Sequence, residues 1–338
     1  MESRRQFINK IASIGFCLTA SPWHQLFQER QGKIYTVTGV IRPSNLGLCL
    51  THEHVMSNFG SEIALDPGYD EQKLFAQVLP YLKKVKSLGA DTIVDCTTAY
   101  FGRDVKTLQA LATQSGLQII TNTGYYAAAN DRYVPEHAYD EDAETLASRW
   151  LDEWENGIQD TGIYPGFIKV AVDGGSISDI DAKLFRAAAK THRQSGLTIA
   201  CHTGDNQEAA RQELEILREE GVSPSAWIWT HANKSRSTDQ LIEAAKAGGW
   251  ISLDGVQEDS IDHHLTLLKG LKKAGFLKQV LLSHDGNSFP RGGAIRPYDT
   301  LFTSFIPRLQ QEGFSKQEIQ QLTVRNPRKA FTINIRTT

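Results

Sequence analysis

Imidazole, carboxylate and amine side chains recur at matching places in this chain, each within or at the end of an apolar run. Thr51-His52-Glu53-His54 closes the first run, and Lys169 lies inside Phe167-Ile168-Lys169-Val170-Ala171-Val172. His202 follows Ala200-Cys201, His231 follows Trp229-Thr230, and Ser283-His284-Asp285 ends the last run. Side chains alternate along a strand, so His52 and His54 share one face and Glu53 takes the other. The same alternation sends His284 out of the site and leaves it a packing or hydrogen-bonding role. A single strand histidine is ordinarily a hydrogen-bonded core residue. Four with an aspartate, all at the same end of successive strands, point instead to a bound ion. Imidazole and carboxylate together suit zinc or a similar first-row metal.

Lys169 poses a separate problem. An ammonium among Phe167, Ile168, Val170, Ala171 and Val172 is costly to bury unpaired. One resolution is a salt bridge to Asp173 or Asp95. The other is a neutral, desolvated amine that adds carbon dioxide and becomes a carbamate, an anion with two oxygens for two cations. Four imidazoles and one carboxylate leave two divalent ions under-neutralised, and a carbamate would supply the missing anion.

From about residue 33 one pattern repeats: a short apolar run, a small or polar turn, then an amphipathic stretch. The runs are 47–54, 92–98, 117–125, 166–173, 197–204, 226–233, 249–255 and 279–286, eight in all. Continuous rather than alternating apolarity is what parallel strands covered on both faces require. Helical spacing separates them: Leu74, Val78, Leu82 and Val85 within 72–88 before Gly89, and Ile180, Leu184, Ala187 and Ala188 within 179–195 before Gly196. Stretches 206–220 and 237–247 also end at glycine. Eight βα units in series specify an α/β fold, a closed (β/α)8 TIM barrel, with a last short helix at 325–331 packing it shut. The longest connections, 56–69 and 126–140, follow the first and third strands and shape the active face.

His52-Glu53-His54, the lysine in Phe-Ile-Lys-Val, His202, His231 and Ser-His-Asp285 resemble the phosphotriesterase family of the amidohydrolase superfamily. The likeness runs from about residue 33 to Asn326-Pro327 and Phe331. It implies two divalent ions, zinc first among the candidates: His52, His54 and Asp285 on the more buried, His202 and His231 on the more exposed, bridged by carboxylated Lys169 and a hydroxide. It implies a metal-activated water as nucleophile, with Asp285 accepting its proton and passing it to the leaving group. Lysine rather than glutamate at position 169 separates the chain from metal-dependent deoxyribonucleases on related barrels. Asp285 argues against a non-catalytic exported metal-binding barrel.

Substrate is less constrained, because fold alone does not choose a reaction. Tyr125 and Tyr126 fall where lactonase relatives carry a tyrosine near the substrate carbonyl. Acyl-homoserine lactonase relatives have an arginine just after the aspartate of Ser252-Leu253-Asp254, where this chain has Gly255. Arg291 and Arg296, after the last run, are candidates for holding a carboxylate or phosphate. A lactone, carboxyl ester or related amide with an anionic group is the leading expectation, with organophosphate triester hydrolysis as the alternative or a side activity.

Composition frames the rest. Lys and Arg number 36 against 39 Asp and Glu, a net charge of −3, so no strong positive field recruits nucleic acid. The expected partner is a small-molecule substrate, and a homodimer is left open. Cys17, Cys49, Cys96 and Cys201 show no metal or disulfide spacing. Residues 1–32 read as a twin-arginine export signal and linker, with Arg4-Arg5, Phe7 and an apolar run at 11–20 too short to span a bilayer. Residues 33–338 read as one barrel domain. The expected location is the periplasm by twin-arginine export, or the cytoplasm if the motif is an ordinary basic arm.

Overall fold

In a computed structural model that describes residues 30–235 and 237–338, the apolar runs become parallel strands. The Arg4-Arg5 motif, its apolar run and Cys17 lie outside the described residues. A short antiparallel hairpin comes first, β1 (Ile34–Thr36) with β2 (Gly39–Ile41). The staves follow: β3 (Cys49–His54), β4 (Thr92–Asp95), β5 (Gln118–Ile120), β6 (Asn122–Thr123), β7 (Phe167–Ala171), β8 (Ile199–His202), β9 (Trp227–Thr230), β10 (Trp250–Leu253), β11 (Val280–Leu282) and β12 (Gly286–Asn287).

Two all-parallel ladders run β12-β3-β4-β5 and β6-β7-β8-β9-β10-β11. They meet because the third and eighth runs are each one strand interrupted, at Thr121 and at residues 283–285. The amide of Asp285 donates to His52 O at 3.0 Å and that of Ser288 to His54 O at 3.1 Å, closing eighth strand against first. The eight runs therefore form a (β/α)8 barrel.

Between strands lie α1 (Glu71–Ser87), α2 (Val105–Ser115), α3 (Ala143–Asn156), α4 (Asp179–Ser195), α5 (Gln207–Glu219), α6 (Thr238–Ala247) and α7 (Ile261–Lys273). After the eighth strand come α8 (Ile306–Gln311), α9 (Lys316–Gln320) and α10 (Asn326–Phe331). Leu74, Val78, Leu82 and Val85 are the buried stripe of α1, as their spacing predicts, and Asp70 caps the helix by accepting from Lys73 N. Among the described residues no helix is long and apolar enough to cross a membrane.

Each strand sends a residue into the barrel interior at its lower end: Cys49, Val94, Ile120, Phe167, Ala200, Ile228, Trp250 and Leu281 pack as one cluster. Large Phe167 and Trp250 fill the space that small Cys49 and Ala200 leave. Ile34, Leu46, Cys96, Ala330 and Phe331 complete the cluster, with the Phe331 ring edge-on to Phe167 at 5.6 Å. The last helix thus closes the floor, and the polar side chains can only gather at the opposite end. Cys49, Cys96 and Cys201 are buried free thiols.

Glu213 of α5 faces β8 and is fully buried. It accepts from Thr203 Oγ1 at 3.0 Å and Cys201 Sγ at 3.2 Å, so it holds both neighbours of His202. Burial pushes its carboxyl up from 4.5 to about 8. Between those values the folded chain keeps a proton that the unfolded chain has lost, so stability falls as pH rises through this window. A Glu213→Gln variant lacks this slope. Its stability relative to the parent, measured by urea unfolding, should climb from pH 4.5 to 8 and level off above.

Candidate metal centre

The first strand presents its histidines through a bulge. Leu50 pairs with Ile93 but Glu53 with Asp95, so two β3 residues stand between these pairs where β4 has one. With Cys49 inside the barrel, regular alternation would aim Thr51 and Glu53 inward. The extra residue shifts parity, and His52 and His54 face the interior instead. Glu53 then lies on the outer side, accepting from Ser283 Oγ at 2.8 Å, His284 Nδ1 at 2.7 Å and Gly286 N at 2.7 Å. His284 Nε2 accepts from Leu301 N at 2.9 Å, so its proton is on Nδ1. His284 is thus a strut that fixes the backbone beside Asp285.

His231 needs a second device. Ile228 faces inward, which by alternation turns Trp229 out, Thr230 in and His231 out. A left-handed backbone at His231, φ 60°, brings its ring back toward the interior, and Asp285 is also left-handed, at φ 53°. Such conformations cost a β-carbon residue about 1–3 kcal/mol and are held only where surrounding bonds require them. His231 has those bonds: its amide and its Nδ1 both reach Asp254, at 3.0 and 2.8 Å.

The six expected ligands converge. Asp285 Oδ1 lies 3.6 Å from His52 Nε2 and 3.4 Å from His54 Nε2. The rings of His202 and His231 are 4.3 Å apart, and those of His52 and His231 4.8 Å. His52, His54 and Asp285 meet the spacing of a metal-binding group.

Every imidazole is oriented from behind through Nδ1. His52 and His231 each reach one oxygen of Asp254 at 2.8 Å. His54 Nδ1 reaches Thr97 Oγ1 at 2.8 Å, and that hydroxyl donates onward to Met56 O at 2.8 Å. Thr97 can therefore only accept from His54, which puts the histidine proton on Nδ1 and leaves Nε2 as a ligand atom. His202 Nδ1 lies 3.1 Å from the Tyr126 hydroxyl. Burial, with Lys169 next, lowers His52 to about 3. Burial also lowers His54 and His202. His52, His54 and His202 are thus held toward the neutral form, the one that binds metal.

Lys169 is fully buried, and its Nζ meets Thr230 Oγ1 at a long 3.4 Å. The salt bridges considered for it do not form. Asp173 accepts from Asn130 N at 2.9 Å, and Asp95 from Val55 N at 2.8 Å. Gly124 lets the third strand close on this lysine, since a β-carbon there would stand 2.1 Å from Lys169 O.

The substrate candidates separate. Tyr126 is at the centre, stacked on Phe101 at 4.8 Å. Tyr125 is not: alternation turns it outward, where its hydroxyl meets His137 Nε2 at 3.1 Å and its ring lies edge-on to Trp150 of α3. Arg291 is also away from the ligands, donating to Gly68 O at 2.7 Å and covering the Tyr69 ring. It ties the last loop to the first. Arg296 does reach the centre, with Nε donating to Asp285 O at 2.7 Å.

A family model matches residues 32–331, that of the phosphotriesterase family. The chain belongs to that family. It is 28% identical over 294 residues to a phosphotriesterase homology protein of Escherichia coli, covering 84% of this chain and 98% of that one. It is 26% identical to the N-acetyltaurine hydrolase of Mus musculus, covering 89% and 98%. A variant of the organophosphorus hydrolase from Deinococcus radiodurans superposes with a TM-score of 0.80 at 27% identity, covering 88% and 97%. The chain is a hydrolase of a binuclear metal enzyme family, and its candidate metal-binding groups among the described residues are His52, His54 and Asp285, and His52, His231 and Asp254.

Sequence reasoning passed over Asp254 and Thr97. The signal for Asp254 was present, a carboxylate ending an apolar run as Asp285 does. Burial works against its charge, but His231 and His52 hold it well below the usual carboxylate range. One side chain orients histidines assigned to two different ions. Asp254→Asn should weaken metal retention about 10–100-fold, as loss of such a partner typically does. Chelator competition with metal analysis measures it, and unchanged retention would show that Asp254 does not support the ligands.

Proposed function

We propose that this chain is a zinc-dependent hydrolase of a lactone, carboxyl ester or related amide, with Lys169 carboxylated. The carrying observation is Lys169: a buried amine with no ion pair among the described residues, set among four imidazoles already oriented through Nδ1. The amine attacks carbon dioxide, an N–C bond forms, and one proton leaves. The product is an anion where the donor set lacks one. His52, His54 and Asp285 would then hold one ion and His202 and His231 the other, with Lys169 shared.

When bound, the two ions supply an ionised water at neutral pH and an electrophile for the scissile oxygen. The chain does the rest. The Asp285 carboxylate, whose backbone N–H donates a hydrogen bond to His52 O, accepts the proton of the attacking water and returns it to the leaving group. Tyr126 stays protonated, because burial raises its hydroxyl above the usual range. With His202 Nδ1–H donating to its oxygen, its own proton is free to meet a substrate oxygen. Gly255 weighs against an acyl-homoserine lactone substrate: a β-carbon there would meet Asn233 Nδ2 at 2.4 Å, so Asn233 fills the space beside Asp254. Organophosphate triesters fit as a slower side activity.

Metal analysis should find about two ions per chain, the stoichiometry two-metal hydrolysis requires. Lys169→Ala should lose both metal and hydrolysis across a panel of lactones, esters, amides and a dialkyl aryl phosphate. A small carboxylic acid should restore part of each. A fully active Lys169→Ala protein sinks the carbamate.

We further infer export by the twin-arginine route, which carries folded, metal-loaded proteins. Its support is Arg4-Arg5 ahead of Phe7 and a short apolar run. Replacing Arg4 and Arg5 together by lysine should hold precursor in the cytoplasm, as read by fractionation. Unchanged export would remove the inference.

A further inference from the structure

We propose that Arg296 selects substrates carrying an anionic group, a carboxylate first, beside the bond to be cut. This rests on the hydrolase reading above and adds the substrate's charge to it. Arg296 is placed by its backbone before its side chain acts. Its amide donates to Asn287 O at 3.0 Å, and Asn287 N donates to Arg296 O at 2.7 Å. This two-bond bridge ties it to β12, directly after Asp285.

The side chain is divided between two tasks. Nε donates to Asp285 O at 2.7 Å, which spends one edge of the guanidinium on the backbone of a ligand residue. Nη2 stands 3.3 Å from Asp285 Oδ1. Among the described residues neither Nη nitrogen makes a hydrogen bond, so the Nη end is the less committed one. It is 37% exposed as a side chain, so it faces the open mouth rather than the core. Two terminal nitrogens in one plane match the two oxygens of a carboxylate.

The surroundings favour the same ligand. Two divalent ions against two anionic ligands, carboxylated Lys169 and Asp285, leave the centre positive. Lys234, exposed in the turn after His231, lies within electrostatic reach of His202 on the other side. Acidic groups nearby are engaged: Asp254 by its histidines and Asp173 by Asn130 N. Phe59 lies under the guanidinium at 5.9 Å, and Phe59 and Ile295 are 42% and 57% exposed. Phe59 O accepts from Gly292 N at 2.9 Å, so the loops bearing these two residues are joined. The mouth therefore offers one anchored cation beside apolar surface.

The test uses zinc-loaded full-length protein and paired esters. Para-nitrophenyl hydrogen succinate is set against its neutral isostere para-nitrophenyl isocaproate, and para-acetoxybenzoate against methyl para-acetoxybenzoate. The first pair places the charge on the acyl part and the second on the leaving group. At least one anionic member should have the higher kcat/KM. Arg296→Gln should lower that anionic-to-neutral ratio about tenfold or more, as loss of one charge-assisted contact of about 1.5–3 kcal/mol predicts. The loss should fall mainly on KM, and Arg296→Lys should recover part of it. Calorimetry with succinate should show weaker binding to Arg296→Gln by a similar factor. No anionic preference in either pair overturns the proposal. So does a parallel loss of kcat on charged and neutral esters, which would make Arg296 a positioning residue for Asp285. Absence of any ester, lactone or amide hydrolysis by the zinc-loaded parent would instead count against the hydrolase reading beneath it.

Discussion

An amine sealed inside a ring of eight strands, with no ion pair among the described residues, is the constraint on which the rest of this structure turns. Lys169 is as buried as the phenylalanine two residues before it, and its longest-range comfort is one hydroxyl at 3.4 Å. Left as an ammonium, it would oppose cations in the same space. Turned into a carbamate, it becomes the one anion that two divalent ions can share. Burial also holds His52, His54 and His202 toward the neutral form. The upper end of the barrel thus gathers oriented imidazoles around an amine that has no ion pair among the described residues.

Around that centre the barrel departs from regularity only where a ligand must be turned. The bulge in β3 rotates His52 and His54 inward, and left-handed backbone brings His231 and Asp285 into place. Each departure is held by a buried carboxylate just behind it. Glu53 binds Ser283, His284 and Gly286 around Asp285. Asp254 binds His52 and His231. Asp95 binds the backbone at Val55 and Thr97, and Thr97 carries His54. Acids hold His52 and His231 directly and His54 through Thr97, and Tyr126 holds His202, so each ring is engaged at Nδ1 and keeps its ε-nitrogen for an ion.

The mouth is built on a looser plan. Arg291 and the Gly292 amide fasten the last loop to the first, and Arg296 hangs from β12. One similar protein is named for organophosphorus hydrolysis and another for N-acetyltaurine hydrolysis. A shared fold thus leaves the choice of substrate to the groups at the mouth. Arg296 touches both, because one edge serves Asp285 and the other faces out.

Local pattern determined the eight staves, the helices between them and the six residues that meet at their upper end. Continuous apolar runs can only be strands covered on both faces, and a polar side chain ending such a run stands out against it. The pattern also told that His52 and His54 share a face. It could not tell which face, because one inserted residue reverses parity without changing composition. Nor could it tell Tyr126 from Tyr125, one at the centre and one in the outer layer, or Arg296 from Arg291. Asp254 and Thr97 act across strands, through contacts between residues far apart in the chain. Sequence carries chemical type and local period; the direction of a side chain and the identity of its partner depend on backbone twist and on which strands the closed barrel makes neighbours, and only the tertiary structure decided those.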